Sequence, residues 1–76
     1  MGDNVKLRLR VKEIAAQKGF SMGKLERLAD LSHPTVRDIF RDHFKEVTIT
    51  TLTKLASALG VPVFDLFEEV SDERID

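Results

Sequence analysis

Arg37 and Arg41 lie on the stretch SHPTVRDIFR and carry the side chains with the most specific chemistry in the chain. A guanidinium fork can bond O6 and N7 of one guanine together, or it can hold a phosphate. Four residues around them widen the repertoire. Pro34 and Thr35 offer apolar contact to a thymine methyl, and His33, near a helix start, suits a phosphate or a base acceptor. Asp38 can accept from a cytosine amino group or orient the neighbouring arginines, and it can equally form a plain helix-surface pair with either. The few Ser, Thr and His residues form no nucleophile and base constellation, so no enzyme activity is expected. His33 and His43 lie ten residues apart without further ligands, so neither a metal nor any other cofactor is expected.

These side chains need a helix to present them. Val36, Ile39 and Phe40 recur at i, i+3 and i+4, Ser32 can cap the segment, and Pro34 sits in its first turn, where a missing N–H does no harm. With that stripe turned inward, a 100° step points Pro34, Asp38 and Arg41 outward, places Thr35 and Arg37 on the flanks, and leaves His33 at the tip. Just before it, Ser21 can cap another helix with the stripe Leu25, Leu28 and Ala29. Asp30 tolerates positive φ, so it can end that helix and reverse the chain, and Leu31 then plugs the corner. Residues 21–41 thus read as two short helices joined by a tight turn, an arrangement that can lay its second helix in the major groove of DNA. Each helix is too short to hold alone in water and must be fixed by packing.

The remaining elements supply that packing. Val11, Ile14 and Ala15 mark a first helix that Gly19 closes, and Thr48 caps a helix with the stripe Ile49, Leu52, Leu55, Ala56 and Leu59, stopped by Gly60 and Pro62. Val63, Leu66, Phe67 and Val70 form a last helical stripe. Val5, Leu7 and Leu9 alternate with Lys6, Arg8 and Arg10, as in a short strand or in a basic arm that follows DNA. A pairing of residues 5–9 with the C-terminal end would give a two-stranded ribbon, which is marginal in isolation. The expected fold is therefore one all-α domain over residues 1–76, five helices around one core with a short N-terminal strand as an option, and an acidic tail at about 71–76.

Seventy-six residues bury only about 60% of the surface of the unfolded chain and leave little room for an enclosed active site. The absence of cysteine fits a reducing interior, and no apolar run approaches the roughly 18 residues of a membrane span, so a cytoplasmic, soluble protein without membrane partners is expected. A net charge of −1 argues against nucleic acid, but its distribution does not. Residues 1–54 hold eleven Lys and Arg against seven Asp and Glu, whereas residues 55–76 hold one against six. A basic body carries an acidic end.

Phosphate contacts are expected at the helix start formed by Ser21 and Met22, with Lys24 one turn further on. A second grip is expected from Arg41, His43 and Lys45, with Thr48 presenting another helix start. Apolar residues in the last stripe exceed what one helix face needs, which makes Phe64, Phe67 and Val70 a candidate dimer interface. Because two-fold proteins read two half-sites, a homodimer is the expected working form.

The segments LERLADLSHPTVRDIF and TLTKLASALGVPVFDLF resemble the Cro and C1 repressor type of helix-turn-helix, the xenobiotic response element family, over most of the chain. The resemblance implies a lambda-repressor-like bundle whose second motif helix, 33–41, reads base edges while the helix before it and the loop after it grip phosphates. Two positions depart from the family pattern. Asp30 stands where glycine is frequent, and Glu26 stands where a small residue faces the reading helix. Glu26 fits only if its stem packs and its carboxylate reaches solvent or a cation such as Arg37. The expected function is sequence-specific binding of double-stranded DNA in transcriptional regulation. The alternative is an antitoxin-like protein-interaction module that uses the last helix and the acidic tail.

Overall fold

A computed structural model describes residues 5–71. Its order is β1 (Val5–Leu9), α1 (Val11–Gln17), α2 (Met22–Ala29), α3 (His33–Arg41), α4 (Ile49–Leu59), a 3-10 turn (Val63–Leu66) and β2 (Phe67–Ser71). The expected acidic tail falls almost wholly on residues 72–76, outside the described residues.

The helix boundaries follow from local chemistry. Ser21, Ser32 and Thr48 accept from the backbone N–H groups of Lys24, Thr35 and Thr51, each satisfying one orphan donor of a first turn. At the other ends, Gly19, Asp30 and Gly60 take up positive φ, Asp30 being the one non-glycine residue to do so among those described. The amides of Phe20, Leu31 and Val61 then reach back to the carbonyls of Ala15, Glu26 and Ala56, closing three helices in the same way.

α2 packs on α3 and α4, and α1 packs on α3 and α4. Leu25, Leu55, Ile39, Leu66, Val11 and Val36 are the largest fully buried side chains at the junction. Each such burial contributes roughly 1.5–3 kcal/mol, which is what holds helices too short to persist alone.

The fold is not all-α, and it has four helices rather than five. The expected last helix is a 3-10 turn followed by β2, which pairs antiparallel with β1 in the register Val5↔Ser71 to Leu9↔Phe67. The stripe Val63, Leu66, Phe67 and Val70 has helical spacing, but eight residues gain little from local helix formation. The row of backbone groups along β1 offers more. Tertiary contacts reinforce the choice, since the Arg10 amide donates to the Leu66 carbonyl at 2.6 Å and the Arg8 guanidinium meets the Glu68 carboxylate at 2.9 Å.

Strand formation also removes the basic arm. Arg8 pairs with Glu68 and Glu13, Arg10 pairs with Glu13 and donates to the Asp65 carbonyl, and the Lys6 ammonium lies 5.2 Å from the centre of the Phe44 ring. Two apolar positions assigned to helix stripes are exposed instead, Leu28 at 54% and Ile49 at 76%. Both lie on the edges of their stripes, and among the described residues no neighbouring element covers those edges. They line one shallow groove of about 450 Å³ between the end of α2 and the start of α4.

Candidate nucleic-acid interface

α3 is anchored by its inner face and open on its outer one. Val36 and Ile39 are buried and Phe40 packs partly against the core, while His33, Pro34 and Arg41 are exposed and Thr35, Arg37 and Asp38 are half-buried. Ser32 fixes the start, its hydroxyl accepting from the Thr35 amide at 3.3 Å and lying 2.8 Å from the Thr35 hydroxyl. Nine residues at 1.5 Å each make a rod of about 13–14 Å, and a helix of ordinary width fits the roughly 12 Å major groove.

The polar groups on the outer face constrain one another. Arg37 Nε donates to Asp38 Oδ1 at 3.3 Å, which leaves the terminal Nη pair of Arg37 as the fork it can present to another acceptor pair. For Glu26 two outlets are open, solvent or a cation such as Arg37, and its carboxylate meets the His33 ring. Its Oε2 lies 2.6 Å from His33 Nδ1, with the Glu26 side chain 20% exposed and the His33 side chain 58% exposed.

A concave strip of about 630 Å³ runs beside α3, lined by Lys12, Met22, His33, Arg37, Phe40, Arg41 and His43. It joins three permanent cations and two imidazoles from α1, α3 and the loop that follows α3, and among the described residues no carboxylate lines it. Met22 puts the start of α2, with its orphan N–H groups, at the same edge. The strip thus brings together His33, Arg37 and Arg41 from the base-reading set with Met22 and His43 from the phosphate set.

The other expected residues lie elsewhere. Ser21 and Thr48 use their hydroxyls as caps, and the Lys24 ammonium lies 4.4 Å from the centre of the Phe20 ring. Lys45 lines a separate groove of about 370 Å³ with Leu7, Phe44, Val47 and Phe67, so the expected Arg41, His43 and Lys45 grip is divided between two faces. Asp42 shapes that loop, its carboxylate accepting from the Phe44 amide at 2.9 Å and its carbonyl from the Lys45 amide at 3.2 Å. His43 Nδ1 is buried and has no hydrogen-bond partner among the described residues, so only its Nε2 can meet a ligand. Sequence reading missed Lys12, because nothing local in the first helix indicates that its surface borders α3. The expected dimer residues also separate: Phe64 is 79% exposed, whereas Phe67 and Val70 are half-buried on β2.

Two short capped helices joined by a left-handed turn, with a half-exposed second helix bordered by cations, define a helix-turn-helix DNA-binding protein. The profile of the Cro/C1-type HTH DNA-binding domain matches residues 10–72, and the chain belongs to that family of DNA-binding regulators. A similar solved structure is the crystal structure of the restriction-modification controller protein C.AhdI from Aeromonas hydrophila. The two chains are 31% identical, the match covers 76% of this chain and 86% of that one, and the TM-score is 0.69. None of the curated proteins matches this chain. Among the described residues no helix is long and apolar enough to cross a membrane.

Proposed function

We propose that this protein binds double-stranded DNA sequence-specifically and regulates transcription by laying α3 in the major groove. The carboxylate-free strip lined by Lys12, Arg37, Arg41, His33 and His43 carries the reading, because a phosphate strand bordering the inserted helix needs cations there. In this arrangement Arg37 and Arg41 read base edges with His33, while Pro34 and Thr35 supply apolar contact. Asp38 orients the Arg37 fork. Lys12, His43 and the N–H groups at the start of α2 hold phosphates, with Ser21, Lys24, Lys45 and Thr48 at the periphery. The likeness to a restriction-modification controller favours a regulatory outcome of binding.

The working form is a homodimer reading two half-sites about 34–36 Å apart, since one small module buries too little surface for tight binding alone. Exposed Phe64 is the first residue to test for that contact, with Phe67 and Val70 on the adjoining strand. Selection from randomised duplexes tests the proposal, and two related half-sites in the recovered sequences are the expected result. Uniform recovery of all sequences overturns it. The interaction-module alternative draws on the apolar groove of Leu7, Leu9, Phe44, Val47, Leu52 and Phe67, and absence of duplex binding even in dilute salt favours it.

A further inference from the structure

We infer that Glu26 is a positioning residue for base recognition: it holds the His33 ring with the proton on Nδ1, so that Nε2 faces DNA as a hydrogen-bond acceptor. This rests on the proposed placement of α3 in the major groove.

The geometry is simple. Glu26 projects from α2 toward the first residue of α3, and its Oε2 lies 2.6 Å from His33 Nδ1. An ionised carboxylate can only accept, so the hydrogen in this bond belongs to Nδ1. In a neutral imidazole the other nitrogen then carries the lone pair, and the free side chain's usual preference for a proton on Nε2 is reversed. Among the described residues Nε2 has no hydrogen-bond partner, and the His33 side chain is more than half exposed. The better-covered carboxylate is the anchor and the ring is the presented group.

Base chemistry follows from the tautomer. An acceptor at Nε2 matches the N4 amino group of cytosine or the N6 amino group of adenine. It repels guanine O6 and N7, and it finds nothing to accept from on a phosphate. Glu26 thereby selects among bases without touching one. Arg37 and Arg41 prefer the opposite partners, so the same strip can read amino groups at one end and guanine at the other. The seven-residue separation of Glu26 and His33, across a turn between helices, explains why neither residue signals this role alone.

Nitrogen-15 NMR of the His33 ring in mildly alkaline buffer, combined with duplex selection, tests the assignment. In the unaltered protein the ring proton is expected on Nδ1. Glu26→Gln should keep it there, because the amide oxygen also accepts, and should keep the base preference. Glu26→Ala should move the proton to Nε2 and reduce the preference for adenine or cytosine at the His33 position from about tenfold to near one, while preferences at the arginine positions persist. His33→Phe keeps a planar ring at this exposed position but removes the acceptor, and should erase the same preference, so the test stands even if Glu26→Ala folds poorly. A ring protonated on Nε2 in the unaltered protein overturns the inference, as does a base preference that survives both Glu26→Ala and His33→Phe. Failure of the unaltered protein to bind any duplex overturns the groove reading itself and this role with it, whereas a lost preference confined to one base position leaves the groove reading standing.

Discussion

The Leu9 amide donates to the carbonyl oxygen of His43 at 2.6 Å, tying the end of β1 to the loop that leaves the reading helix. Next to it the Arg10 amide bonds Leu66, so one dipeptide links the first strand to both the reading-helix loop and the last turn. A two-stranded ribbon is marginal alone, and here its inner end is part of the core through buried Leu9. Leu9→Ala should therefore cost about 2–4 kcal/mol, seen as a lower urea midpoint with little change in slope. A loss below about 0.5 kcal/mol would show that the ribbon contributes little to the folded domain.

Asp30 holds the turn between α2 and α3 at φ 57° and ψ 51°, where most side chains clash with their own backbone. Lys54 approaches the same residue, its ammonium 3.4 Å from the Asp30 carbonyl, a contact that any residue at 30 keeps, and 3.9 Å from the fully solvated Asp30 carboxylate, an exposed pair that contributes little. Asp30→Gly should hold or raise stability by up to about 1 kcal/mol, whereas Asp30→Val should lose about 1–2 kcal/mol. Thermal melts of the three proteins check the order.

Arg37 and Lys12 border the same strip and should fail in different ways. Arg37→Ala should remove about 1–3 kcal/mol of discrimination at particular base pairs. Lys12→Ala should weaken selected and scrambled duplexes alike and lower the salt slope by about one. Fluorescence anisotropy titrations at several salt concentrations separate the two patterns. Equal losses on both duplexes for Arg37→Ala would remove it from the base-reading set.

Glu13 gives the fold an acid limb. The hydrogen bond from Arg10, 3.1 Å away, holds its carboxyl below the usual carboxylate range, with the charges of Arg10 and Arg8 acting the same way against an opposing desolvation contribution. A carboxyl whose folded pKa is depressed stabilises fully above its unfolded pKa, and that contribution disappears as pH falls through the folded value. Urea midpoints should therefore decline from about pH 5 downward, and Glu13→Gln should flatten part of that decline by lowering the midpoint near neutrality, with the two proteins converging in acid. An identical acid limb in both proteins would show that the Arg10 and Glu13 pair makes no net contribution.

Residues 10–62 were largely legible because their signals are local. A hydroxyl at 21, 32 or 48 can bond an amide three residues on, and an aspartate or glycine can take positive φ, wherever the rest of the chain lies. The inward positions Val36 and Ile39 follow from the helical repeat, and with them the outward Pro34 and Arg41 and the flanking, half-buried Arg37. The same logic failed at Leu28 and Ile49, where the repeat was right and no element among the described residues covers the edge of the stripe.

The linear chain by itself determined the helix-turn-helix motif and the side chains its second helix offers, because caps, turns and periodicity act over a few residues. Tertiary structure alone decided that Phe67–Ser71 is a strand on β1, that Lys12 borders α3, and that Glu26 meets His33 rather than Arg37. Those outcomes depend on which distant partner reaches an unpaired backbone edge or a polar group first, and the free energy of that encounter is set by the packed arrangement of the elements.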